Sequence, residues 1–200
     1  MASLLESLAN HLGQDQINQL ANQIGATPDQ TRSGIGATLP TILAGLARNA
    51  QQPEGAQQLD SALAKNHDGS LLDHLGTLFG GNPQSAPVPD KAVQGGSILD
   101  HVLGGRQQRV ADSAARGSGL SQGQILKLMA MLAPVVLAYL GRRRKEENLS
   151  PAQLGETLQR ESAAVDSAGG GMISRMLDQD GDGDFDVMDV MKFGMKRMFG

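Results

Sequence analysis

The chain has 200 residues, enough for one domain with a hydrophobic core, and it contains no cysteine. Disulfides, thiolate zinc sites and cysteine nucleophiles are therefore excluded. Four Phe, one Tyr and no Trp offer little surface on which bases could stack, and the formal charge of -4 arises from one acidic segment, so nucleic-acid binding is not expected.

The first residues of the sequence do not have the pattern expected of an export signal. Residues 1–6 lack the positive charge and the apolar run of a secretory signal, so we predict a cytoplasmic protein. The most apolar stretch, residues 128–141, has 14 residues and includes Pro134. It is shorter than the roughly 20 residues that span a bilayer. We predict a buried core helix here and no membrane span.

An internal duplication gives the clearest indication of architecture. Residues 25–48 align without gaps on residues 119–142, with Gly, Gln, Pro, Leu, Ala, Leu and Arg identical at equivalent positions. Each copy contains a proline, Pro40 or Pro134, within a helical pattern. Because proline lacks an N–H and crowds the preceding turn, each proline is predicted to force a kink or a new helix start, so that each copy forms a helix, a break and an apolar helix.

Each copy also begins with a helix-start signal. Thr27 with Gln30, and Ser121 with Gln124, have the spacing of capping boxes. Leu, Ala and Gln dominate, and alternating runs of β-branched residues are missing. The sequence therefore predicts an all-α fold, a multihelical bundle with an internal duplication.

A shorter echo lies between the two copies. Residues 69–75 recur as residues 96–102, and each contains an Asp-His pair. The pairs are Asp73-His74 and Asp100-His101. Neighbouring side chains on a helix point about 100° apart, so neither Asp can easily orient its own His for catalysis. We predict that Ser70 and Ser97 cap helices, that the His residues are structural and that the protein is not an enzyme; a hydrolase using these pairs is the competing hypothesis.

The proline-rich stretch 82–89 is predicted to be a loop between the two halves of the duplication. Packing and turn residues on both sides of this stretch resemble those of a known family. The residues are Ile24-Gly25, Leu39-Pro40, 96–99, 102–105, 119–121 and 132–137. Their pattern resembles the YidB-like family, a bacterial domain of unknown function, over residues 1–145. The resemblance implies a cytoplasmic multihelical protein, and it supplies no catalytic residue and no substrate.

A basic run and a further helix follow. Residues 142–145, Arg-Arg-Arg-Lys, are predicted to form a solvated helix end, with an anionic partner as the alternative. Residues 150–153 are a helix start with Ser as cap and Pro at the first helical position. Three glycines at 169–171 follow that helix. We predict a linker helix and glycine hinge over residues 146–171.

An acidic segment near the C-terminus has the ligand spacing of a calcium loop. Calcium takes six to eight oxygen ligands, which a twelve-residue loop supplies from positions one, three, five, seven, nine and twelve. Counted from position 178, each of these is an aspartate. The predicted ligands are Asp178, Asp180, Asp182, Asp184, Asp186 and Asp189. Gly183 occupies position six, where the sharp turn needs a residue without a Cβ. The segment resembles the EF-hand loop, and Ca²⁺ fits this oxygen set better than Mg²⁺.

Two departures from the EF-hand are present. Position twelve is Asp189 rather than the longer Glu, and little more than a turn precedes the loop; both features resemble the dockerin variant. Six of the 9 Met lie in residues 172–200, where a Met-rich helix is predicted after the loop. This helix is the predicted surface for a protein partner or a second copy.

The sequence therefore predicts three parts: a YidB-like duplicated helical domain (1–145), the linker helix and hinge (146–171) and an EF-hand-like calcium-binding segment (172–200). The predicted function is calcium binding, structural or regulatory. A helical scaffold or adaptor that mediates protein–protein or self-association is the alternative.

Overall fold

The computed structural model describes residues 4–80 and 94–168, and within these ranges all regular structure is helical. The predicted all-α class is confirmed. The α-helices are α1 (Leu4–His11), α2 (Gln14–Ile24), α3 (Pro28–Asn49), α4 (Pro53–Asn66), α5 (Leu75–Phe79), α6 (Gly95–Leu103), α7 (Gln107–Ser118), α8 (Gln122–Glu146) and α9 (Pro151–Ala168). The 3-10 segments Ser70–His74 and Gly104–Arg106 precede α5 and α7. The predicted proline-rich loop and glycine hinge lie outside the described residues.

The starts of α3 and α8 have the predicted capping boxes. Thr27 accepts a hydrogen bond from the Gln30 backbone N–H, and Gln30 accepts one from the Thr27 N–H; Ser121 and Gln124 do the same in the second copy. Before each cap, α2 and α7 end at a left-handed glycine, Gly25 or Gly119, both with φ of 71°. Because the left-handed region is open to glycine at no steric cost, these residues turn the chain directly into the next helix.

The prediction that a new helix starts at each of the two prolines is wrong. Both α3 and α8 run without interruption through Pro40 and Pro134. Each proline removes one helical hydrogen bond, but both helices are buried along most of their second halves, and each buried Leu or Val contributes roughly 1.5–3 kcal/mol. The carbonyl that Pro134 leaves without its donor belongs to Ala130, and Gly95 of α6 packs so closely on it that a Cβ would lie 1.7 Å away.

The duplication extends beyond the central helices. In the register that places residue 25 on residue 119, α1 falls on α6, α2 on α7 and α3 on α8. The two copies also contact each other reciprocally. Gln30 Nε2 donates to the carbonyl of Gly119 at 3.2 Å, and Gln124 Nε2 donates to the carbonyl of Gly25 at 2.9 Å. Such exchange of equivalent contacts is expected when two related units face each other about an approximate two-fold axis.

Helix α9, which falls in the predicted linker segment, packs against α3 and α4. Its Leu154 and Leu158 are buried in the same core as the duplicated helices. The carboxylate of Glu161 also accepts a hydrogen bond from the Leu4 backbone N–H at 2.9 Å, where it complements the positive end of α1. Helix α9 is therefore an integral part of the bundle.

Helix α8 has 25 residues, whereas the apolar run that predicted a core helix, residues 128–141, has 14. Among the described helices it is the one long and apolar enough to cross a membrane by length and composition, and 61% of its apolar 18-residue window is buried inside the fold. The core helix of a soluble protein meets the same criteria, so this property is weak evidence for a membrane span.

Candidate functional site

The predicted calcium ligands Asp178, Asp180, Asp182, Asp184, Asp186 and Asp189 lie outside the described residues. Within residues 4–80 and 94–168, no group of three or more His, Asp or Glu side chains is placed to hold a metal ion. The described domain therefore supplies no further candidate for a metal centre.

The two Asp-His pairs are engaged in structural contacts. Asp73 forms an ion pair with Arg142 at 2.7 Å, and Asp100 accepts a hydrogen bond from Gln107 at 2.7 Å. His74 and His101 are exposed. Each carboxylate binds a residue of another element, Arg142 of α8 or Gln107 of α7.

The predicted serine caps at these pairs are wrong. Ser97 lies within α6, whose N-cap is Gln94. At the other pair, the 3-10 segment begins at Ser70, its N-cap is Gly69 and no side chain caps it; the N–H of Ser70 donates to the carboxylate of Asp68, two residues earlier, at 3.1 Å.

The basic run at the end of α8 is a solvated helix end only at Lys145, which is exposed. Its three arginines each bind a different element: Arg142 binds Asp73 and the carbonyl of Gly69, Arg143 binds Glu147 and Glu161, and Arg144 binds Asp60 of α4. The prediction failed because the carboxylates that these cations meet are distant in sequence. The run therefore joins α8 to α4, α9 and the 3-10 segment before α5.

The Asp60–Arg144 pair is largely enclosed, with side chains 16% and 28% exposed. Two guanidinium nitrogens bind the two carboxylate oxygens, and this contact raises the pKa of Arg144. We expect Asp60→Asn to lower the free energy of unfolding by about 1–2 kcal/mol in urea denaturation. Asp29→Asn is the matched control, because Asp29 pairs with Arg32 while its side chain is 94% exposed. Equal effects of the two substitutions would contradict this assignment.

A groove of about 820 Å³ opens between the C-terminal end of α3, helix α4 and helix α6. We call it the amide-rimmed groove. Its apolar lining residues are Leu46, Leu59, Ala62, Ile98, Val102 and Leu137. Carboxamides supply most of its polar lining: Asn49, Gln51, Gln52, Gln58, Asn66 and Gln94. The amide of Asn49 donates to the carbonyl of His101 at 2.8 Å and so ties the end of α3 to α6.

His67 lines the groove at the end of α4 and is only 5% exposed. Its backbone carbonyl lies against Gly141 of α8, at a distance that leaves no room for a Cβ there. Its Nδ1 is buried and has no hydrogen-bond partner among the described residues. Burial lowers the pKa of His67 below its ordinary value. Sequence reasoning missed this residue, since a single His before Asp-Gly resembles a polar turn.

The lowered pKa of His67 predicts a pH dependence of stability. Above pH 6.5 the imidazole is neutral in both the folded and the unfolded chain, and its contribution to stability is fully present. As the pH falls below 6.5, the unfolded chain takes up the proton first, so the free energy of unfolding decreases until the lower folded pKa is reached.

Urea denaturation at several pH values tests this prediction. The unmodified protein should show a decrease in the free energy of unfolding below pH 6.5. In the variant His67→Phe, we expect the part of this decrease that His67 causes to be absent. His101→Phe, which replaces an exposed His lining the same groove, should retain the loss. The prediction is wrong if both variants and the unmodified protein lose stability equally below pH 6.5.

Comparison with known proteins identifies one family. Residues 6–143 match the family described as "Bacterial protein of unknown function (DUF937)". No curated protein and no solved structure matches the chain. The match ends before α9 and the acidic segment, so both lie beyond the part of the chain that resembles other members.

Proposed function

This protein belongs to the DUF937 family of bacterial proteins, and we propose that it binds calcium through residues 178–189, which follow the family domain in the chain. The observation that carries the proposal is the spacing of six aspartates. They occupy every position from which a twelve-residue calcium loop supplies ligands, and Gly183 occupies the position of the sharp turn.

The electrostatics of the segment support the same proposal. Six carboxylates within twelve residues repel one another, and residues 178–189 include no Lys or Arg to neutralise them. A bound divalent cation would offset the repulsion, and Ca²⁺ accepts the number and type of oxygen ligands that the segment offers. Asp178, Asp180 and Asp182 would bind through carboxylates, and Asp184 through its backbone carbonyl. Asp186 would bind directly or through water, and the shorter Asp189 would close the shell.

The rest of the proposal concerns the context of the ion. Within the family, we place the chain among the YidB-like members, from the resemblance of its packing and turn residues. We propose a cytoplasmic binding protein without catalytic activity, in which calcium acts as a structural clamp or as a regulatory switch. Nothing in the described domain points to nucleic acid as a partner.

Calorimetric titration of the full chain tests the proposal. We expect heat of binding at micromolar to millimolar calcium and a higher melting temperature with calcium than with magnesium. Asp178→Ala and Asp189→Ala should abolish or strongly weaken both effects. Asp112→Ala, at an exposed position on α7, is the matched control and should leave them unchanged.

The mass of the protein in the same buffers addresses the alternative function. A constant mass with and without calcium supports binding within one chain. A calcium-dependent dimer supports self-association through the Met-rich C-terminal segment. The absence of both heat and a change in melting temperature would refute calcium binding.

A further inference from the structure

The amide-rimmed groove has the properties of a binding site for a small molecule. We propose that it binds an uncharged amphiphile, whose apolar chain lies along the floor of the groove and whose hydroxyl group hydrogen-bonds to His67. This inference is independent of the calcium proposal, because it rests only on residues of the described domain.

The size and lining of the groove fit such a ligand. Its volume of about 820 Å³ lies within the range of roughly 300–1,000 Å³ that is typical of small-molecule sites. Leu46, Val102 and Leu137 come from three different helices and contribute apolar surface to the groove. An aliphatic chain placed against this surface would be removed from water, which is the main source of affinity for an apolar group.

His67 supplies an independent reason to expect a ligand with a polar group. A buried polar atom without a partner costs roughly 1–3 kcal/mol, and such atoms are rare in folded proteins. The Nδ1 of His67 is such an atom, and the residue lines the groove; because this nitrogen has almost no exposed surface, the imidazole must turn toward the groove before a ligand hydroxyl can reach it. A hydroxyl both donates and accepts a hydrogen bond, so it can pair with this nitrogen in either neutral tautomer of the ring.

The charges around the groove favour an uncharged ligand. No Asp, Glu or Lys of the described chain lines it, and Arg48 is the single Arg that does. The groove runs along α4 from its N-cap Gln52 to Asn66, and it also meets the C-terminal end of α3 and the N-terminus of α6. The helix dipoles around it therefore have both signs and favour neither an anion nor a cation. The lowered pKa of His67 keeps the imidazole neutral near pH 7, so it offers an anion no counter-charge.

Fluorescence titration of the full chain with N-phenyl-1-naphthylamine tests whether the groove is a site. We expect enhanced emission with the unmodified protein and at least about tenfold weaker binding by Ala62→Trp, which fills the groove from α4. Ala64→Trp is the matched control, because Ala64 is exposed on the same helix and does not line the groove. Ile98→Trp repeats the test from the α6 wall if Ala62→Trp lowers the melting temperature.

Competition with dodecanol, dodecanoate and dodecyltrimethylammonium tests the ligand class. We expect dodecanol to displace the probe at the lowest concentration, and its affinity to fall about fivefold in His67→Phe, the effect of one neutral hydrogen bond. Probe binding that is absent, or equal in Ala62→Trp and Ala64→Trp, would overturn the site. A charged competitor at least as strong as dodecanol would overturn the ligand class, and an unchanged dodecanol affinity in His67→Phe would overturn the role of His67.

Discussion

Replacing Gly141 by alanine should destabilise the protein strongly. A Cβ at this position would lie 1.6 Å from the backbone carbonyl oxygen of His67 and 2.8 Å from its carbonyl carbon. Neither atom belongs to a flexible side chain, so α8 must separate from the segment that follows α4. We expect a loss of about 3 kcal/mol or more in the free energy of unfolding, measured by urea denaturation.

Gly36→Ala is the matched control for this experiment. Gly36 also lies within a long central helix, but a Cβ there would meet nothing within 4 Å. Alanine favours the helix over glycine by up to about 1 kcal/mol, so this variant should be as stable as the unmodified protein or more so. If Gly141→Ala were equally harmless, the close contact of α8 with His67 would be incorrect.

Removing the Leu158 side chain should also have a large effect. Leu158 is 0% exposed and lies in α9, beyond the region that matches the family. Truncation of a fully buried Leu to Ala typically costs 2–5 kcal/mol, because apolar contacts are lost and a cavity remains. We expect Leu158→Ala to lower the free energy of unfolding by about this amount in urea denaturation.

The neighbouring substitution Gln159→Ala tests whether helix propensity alone explains the result. Gln159 is exposed on the same helix, and its replacement should change stability by less than about 0.5 kcal/mol. A small effect of Leu158→Ala would mean that α9 lies outside the cooperative core. In that case α9 would be the linker helix that the sequence predicts between the basic run 142–145 and the glycines 169–171.

The sequence predicts correctly those local structures whose interactions join residues close together in the chain. A capping box is complete within four residues, so Thr27 with Gln30 and Ser121 with Gln124 could be recognised without knowing what surrounds them. The duplication could be read by aligning the chain with itself. The reciprocal hydrogen bonds between the copies could not be predicted in this way, because they join residues that are 89 and 99 positions apart.

The errors arise where tertiary packing overrides a local rule. Pro40 ends an isolated helix but not a helix whose flanking turns are buried. Arg144 suits a solvated helix end until Asp60, distant in sequence, is brought beside it. The amide-rimmed groove has no sequence signature, because its floor is drawn from three helices and its buried His67 lies in an unremarkable polar turn. The calcium segment is the opposite case, since all of its predicted ligands lie within twelve consecutive residues.

Equilibrium dialysis of the full chain against radioactive calcium tests the proposed function most directly. We predict that the protein retains one calcium ion per chain in the presence of excess magnesium, and that the double variant Asp178→Ala, Asp182→Ala retains essentially none. Calcium binding that is absent from the unmodified chain, or that persists undiminished in the double variant, would contradict the proposal.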